Sequence, residues 1–220
     1  MSTSHSSDRA PPERPGPPGG KRDLNRKRRS EQLRQAGLKL FLERGVDPVT
    51  IDDIAKEAGT AKGNFYRYFS DKVDLVQAIV TPMSEAVFEA FDRCERGLEE
   101  AHDDTSLVAA YQSLAIGLIP VAVGMPDEVR LYLTECRAPN AGARAPIRAF
   151  GDQVRERATL LTEFAVDHGL LRIPDPRISA LAVVGAVEQL AFSTIVGELD
   201  APPPMVAGIL ISLVLQGIRR

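Results

Sequence analysis

The stretch "TIDDIAKEAGTAKGNFYRYFSDK", residues 50 to 72, sets two short helical phrases on either side of one glycine and gathers four aromatic rings at Phe65, Tyr66, Tyr68 and Phe69. Thr50 fits an N-cap with Asp53 at the third helical position, and Val49 and Ile54 stand where a hydrophobic staple would fix the entry angle. The helix begun there is expected to end at Ala58, because Gly59 tolerates the left-handed conformation that closes a helix. Thr60 is placed to cap a second helix running through Phe69. Two helices joined by a tight glycine turn result.

On a helix beginning at Ala61, Phe65 and Phe69 share one face at i, i+4, whereas Lys62 and Tyr66 share another. The phenylalanines can pack on Ile54 and the preceding helix, leaving Lys62, Gly63 and the tyrosine hydroxyls outward. Gly63 weakens the helix but lets another backbone or a base edge come close. A cation at Lys72, in the first turn of a further helix, opposes the helix dipole unless a phosphate sits nearby. Taken singly, Tyr66 and Tyr68 read as ordinary surface aromatics. Together with Lys62, Gly63 and Lys72 they read as a face for a polyanion.

The charge distribution agrees. Residues 1 to 72 hold 15 Lys and Arg against 10 Asp and Glu, and the remainder hold 12 against 20, within a formal net charge of −3. All the lysines fall in the first third, so the basic end is the one suited to a polyanionic partner. The run "KRDLNRKRR", residues 21 to 29, directly precedes the helical pair and is expected to be a flexible basic arm reaching phosphates or the minor groove. Before it, "MSTSHSSDRAPPERPGPPGG" is polar and rich in Pro and Gly, without the apolar core of a secretory signal. Disorder over residues 1–22 and a cytoplasmic location are expected from that composition.

From about Asn25 the pattern turns helical, with Leu33, Ala36, Gly37, Leu40 and Phe41 on one face and Gly45 as the stop. Beyond Ser70, apolar-periodic segments are separated by Pro82, Pro120, Gly124-Met125-Pro126, "APNAGARAP", Gly169 and "PDPR". They predict helices over roughly 71–100, 105–123, 127–137, 147–168, 176–199 and 203–218, with no alternating strand. The expected fold is all-α: a helix-turn-helix domain over residues 23–70 and a larger helical domain over 71–220. Cys94 and Cys136 lack the paired spacing of a zinc site and read as buried thiols.

The segment "VTIDDIAKEAGTAKGNFYRYFSDKVDL" resembles the DNA-binding domain of TetR-family transcriptional regulators, over about residues 25 to 76. The resemblance implies a second, helical domain for effector binding and dimerisation. It also implies phosphate contacts from Thr50, Thr60, Tyr66, Tyr68 and Lys72, and an approach to base edges by Ala61, Lys62, Gly63 and Asn64. Lys62 is suited to guanine O6 and N7. Tyr68 stands where the family often has histidine. Within the helices corresponding to the family's pocket, Phe88, Phe91, Tyr111, Leu118, Tyr132, Phe150 and Phe164 are the expected lining.

Two other classes compete. "ISALAVVGAVEQLAFSTIVG" approaches the length of a membrane span, but it carries Glu188, Gln189, Ser193 and Thr194, and "PMVAGILISLVLQGI" is shorter than about 17 residues. A buried helix pair fits them better, and the resemblance implies that a second copy of the chain covers it. As acid/base candidates, Glu135, His168 and Glu188 are tied to no nucleophile, phosphate loop or metal cluster, and His168 beside Gly169 suits a helix end. The resemblance implies a non-enzymatic, ligand-responsive regulator without cofactor or metal, a repressor as most of that family are, with an activator of the same fold as the alternative. Its expected partners are a palindromic double-stranded DNA operator, a second copy and an apolar or amphiphilic small molecule.

Overall fold

The computed structural model describes residues 20–139 and 142–218, and side chains only to residue 214 in the last helix. The described residues are all-α, without strands, and fall into two compact units. The first unit comprises the chain to Ile79 together with Pro139–Pro146, and the second comprises Val80–Ala138 and Ile147 onward.

In the first unit, α1 (Lys21–Arg44) buries Leu33, Ala36, Gly37, Leu38, Leu40 and Phe41, which is the face the apolar spacing marks out. Its start differs from expectation. Residues 21 to 29, expected as a flexible arm, form the first turns of α1, held by i, i+3 and i, i+4 contacts such as Lys27 to Asp23 at 3.1 Å and Arg29 to Gln32 at 3.0 Å. The expected disorder of the tail concerns residues that, up to residue 19, lie outside the described ones. Gly37 lets α1 approach the first turns of α4 (Lys72–Glu99), since a Cβ there would stand 2.8 Å from Leu75 Cδ2. Ile54, Phe65, Leu75, Val76 and Ile79 are fully buried in this unit. Each such side chain contributes about 1.5 to 3 kcal/mol relative to exposure.

In the second unit, the remainder of α4 is joined by α5 (Asp104–Gly124), α6 (Pro126–Glu135), α7 (Ala145–Asp167), α8 (Pro176–Ile195) and α9 (Pro203–Ile218). The boundaries follow local chemistry. Asp103 caps α5 reciprocally with Ser106, Asp175 caps α8 by accepting from the Ile178 N–H, and Pro126 and Pro176 occupy first helical positions. Pro82 and Pro120 lie inside α4 and α5, as they do in the expected helices over 71–100 and 105–123. The cost of an interior proline is about 3 kcal/mol. Burial of Ile79, Val80 and Met83 around Pro82 offsets it. His168 Nδ1–H donates to the Phe164 carbonyl at 2.8 Å and the ring stacks on that of Phe164, a helix-end role. Cys94 and Cys136 are free and buried, and burial pushes the Cys94 thiol up to about 12.

Candidate nucleic-acid interface and cavity

The helix pair of the opening stretch is built by its caps. At the start of α2 (Ile51–Glu57), Asp53 N–H donates to Thr50 Oγ1 at 3.2 Å, and the Asp53 carboxylate accepts from the Thr50 amide at 2.9 Å and hydroxyl at 2.6 Å. Those bonds from Thr50 hold the Asp53 carboxyl below its ordinary range. Gly59 then takes φ +64, the left-handed turn expected of it. The second helix is shorter than its sequence pattern: α3 (Lys62–Phe65) gives way to a turn over 66–68, and its N-cap is Ala61. Thr60 does not cap it. Instead Thr60 Oγ1 accepts from the Asn64 amide at 2.8 Å, which leaves its own hydroxyl hydrogen available to a phosphate.

Burial separates the two faces of α3. Phe65 and Phe69 are 0% and 5% exposed, with ring centroids 5.7 Å apart, while Ala61, Lys62, Gly63, Asn64 and Tyr66 are exposed and Tyr68 is half-buried. The Tyr66 ring stands edge-on to Phe65 at 5.6 Å, so the buried phenylalanine orients the exposed tyrosine. Lys62 has no hydrogen bond or ion pair among the described residues. A Cβ at Gly63 would meet nothing within 4 Å, so no neighbour in the chain requires glycine there.

Lys72 is differently placed. Its ammonium donates to the carbonyls of Val46, Asp47 and Val49 at 2.8, 2.9 and 2.9 Å. Those are all the donors an ammonium has. A phosphate contact by Lys72 therefore requires exchange of one of these bonds. Burial lowers its pKa despite the neighbouring Asp47 carboxylate. Arg144, from the Pro139–Pro146 segment, pairs with the same Asp47 and adds a second clamp on the loop entering α2. Nothing in the local sequence around Arg144 announces that pairing, which joins residues 97 positions apart.

The second unit encloses a cavity of about 360 Å³. Phe91, Tyr111, Leu118, Tyr132 and Phe150 line it; Phe88 and Phe164 do not. The Phe88 ring is taken up by Phe150 on one side, at 5.6 Å, and by the Arg157 guanidinium 5.7 Å away, and Phe164 is stacked on His168. Leu210 of α9 lines the cavity as well. By length and composition α5 and α8 could each cross a membrane, and both contribute a row of residues to the cavity wall. The lining includes a buried carboxylate, Glu188, which accepts from the Tyr132 hydroxyl at 2.6 Å and from Arg137 at 2.9 Å. A lone acidic residue in an apolar helix is a signal visible in the sequence; its two partners, more than 50 positions away, are not. Among the described residues no three His, Cys, Asp or Glu side chains come together as a metal site.

Comparison with known proteins bears on the first unit most directly. Residues 33–79 match the family described as bacterial regulatory proteins, tetR family. An uncharacterised HTH-type transcriptional regulator of Bacillus subtilis, YvdT, is 49% identical over 49 residues, 22% of this chain and 25% of that protein. The HTH-type transcriptional repressor BepR of Brucella suis is 29% identical over 154 residues, 67% of this chain and 66% of that protein. The chain thus matches a quarter to just under two thirds of these relatives' lengths. The Bacillus subtilis regulator FadR, solved in complex with stearoyl-CoA, superposes with a TM-score of 0.62 at 18% identity, over 86% of this chain and 99% of that one. At that identity the likeness concerns the fold.

Proposed function

We propose that this chain, whose residues 33–79 match the tetR family of bacterial regulatory proteins, is a cytoplasmic homodimeric repressor that binds DNA through its helix-turn-helix domain and leaves its operator when a small molecule enters the cavity. The observation that carries the reading is the exposed face at residues 61–64, where an unpartnered lysine adjoins a glycine with open space above it, on a helix anchored by two buried phenylalanines. Lys62 reads a base edge, Ala61, Gly63 and Asn64 lie along the groove, and Thr50, Thr60, Tyr66 and Tyr68 meet phosphates. We assign Lys72 to holding the 46–49 loop, which presents Thr50.

Dimerisation is supported by Ile178 and Leu181 on α8 and Met205, Ile209 and Leu213 on α9, large apolar side chains left exposed in the single chain. Repression is supported by the repressor role of BepR, and an amphiphilic effector with an apolar chain by the stearoyl-CoA bound to FadR. The test is selection of random DNA duplexes by the purified full-length protein. One near-palindromic motif with half-sites about a helical turn apart is expected. Retention of duplexes without any enriched motif would contradict it.

A further inference from the structure

The cavity wall is apolar over most of its extent, formed by leucine, isoleucine, valine, alanine and phenylalanine side chains. Glu188 interrupts it. Its carboxylate is 8% exposed at the level of the residue, and each oxygen already has one donor: Tyr132 on Oε1 and Arg137 on Oε2. A carboxylate offers about four lone-pair sites, so acceptor capacity remains on both oxygens. Its charge, however, is already balanced by Arg137, whose own side chain is 63% exposed. The neighbouring Arg155 is itself bound to Asp152 at 2.6 Å. The Tyr132 hydroxyl already donates its hydrogen to Glu188, and burial together with that carboxylate pushes its pKa up. Tyr111, the other phenol in the lining, makes no hydrogen bond among the described residues, and burial also raises its pKa.

These groups sort ligands by their polar end. An anion would bring like charge to Glu188, and a cation would lose its hydration for a carboxylate already paired. An uncharged hydroxyl or amide N–H, by contrast, fills a vacant lone pair and adds no charge. We infer that the cavity takes an uncharged apolar molecule carrying one hydrogen-bond donor, which it recognises through Glu188. The inference rests on the effector reading above and narrows it to a chemical class.

The experiment measures binding of four ten-carbon compounds to the full-length protein by calorimetry: 1-decanol, its methyl ether, decanoate and decylammonium. Decanol is expected to bind at least about tenfold more tightly than each of the other three, since a hydrogen bond to a charged group is among the stronger ones. In Glu188→Met the preference for decanol over the ether should shrink to within about twofold, with thermal melting used to confirm folding. Equal binding of decanol and the ether in the unsubstituted protein, or tighter binding of decanoate or decylammonium, overturns the donor inference and leaves the effector reading standing. Absence of binding by all four removes both.

Discussion

Gly63 and Lys72 show how a single position can be read in opposite directions. A glycine in a helix lowers stability by up to about 1 kcal/mol relative to alanine, and the open space above Gly63 means no internal contact requires it. Gly63→Ala is therefore expected to melt no lower than the natural protein and yet bind operator at least about tenfold more weakly, because the methyl group occupies the approach of the DNA. Thermal melting and fluorescence anisotropy together check this pair of outcomes. Lys72→Met should do the reverse: loss of three carbonyl bonds destabilises the first unit by roughly 1 to 3 kcal/mol, while the salt dependence of DNA binding stays as it was. A reduced salt slope in that variant would restore a phosphate role. The outward face of α3 was legible from residue types alone, since an exposed Lys-Gly pair beside buried phenylalanines needs only helical spacing. The carbonyl partners of Lys72 were not, because they lie 23 to 26 residues away and depend on how the loop returns.

At the scale of the element, α2 was the most legible helix, since its start is written in one capping box. Thr50→Ala should cost about 1 kcal/mol. The same box adds a pH dependence. Asp53 has a folded-state pKa below its ordinary 3.8, so its contribution is present above that value and lost as pH falls through the lower folded one. Asp53→Asn should flatten the stability profile at the acid end, as acid denaturation followed by circular dichroism would show. The helix α3 was overestimated because the spacing of Phe65 and Phe69 is helical, although the chain turns after Phe65 and still buries both rings. For α1 the error was opposite. A dense basic run lowers the expectation of helix, but its charges pair along the helix and continue a face already anchored by Leu33. Since residues 21–29 are part of α1, their role is better tested by Arg22→Gln, Arg26→Gln and Arg28→Gln than by deletion. Every cation–phosphate pair that a substitution removes should reduce the log-log salt slope by about 0.9, and an unchanged slope would place these exposed cations away from DNA.

On the scale of the whole molecule, the apolar faces of α8 and α9 serve two ends. Residues such as Ala180, Val206 and Leu210 turn to the cavity, while Ile178, Ile209 and Leu213 remain exposed. Composition announced two buried helices without distinguishing these faces, since nearly every position is apolar and no periodicity survives. The distinction decides which substitution is informative. Leu210→Asp would disturb the cavity, whereas Leu213, at 68% exposure, tests assembly. Leu213→Asp is expected to sediment as a folded monomer and to lose operator binding, because half-sites in a palindrome require two linked recognition helices. A folded dimer with normal binding would remove α9 from the interface.

The central claim is that the face at residues 61–64 reads DNA sequence, and comparing the base profiles selected by the natural protein and by Lys62→Ala tests it most directly. Both full-length proteins are offered the same pool of random duplexes, and the retained DNA is sequenced. In the variant, one symmetry-related position in each half-site is expected to lose its preference, by about 1 to 3 kcal/mol of discrimination, while the other positions keep theirs. Two identical profiles would contradict the claim.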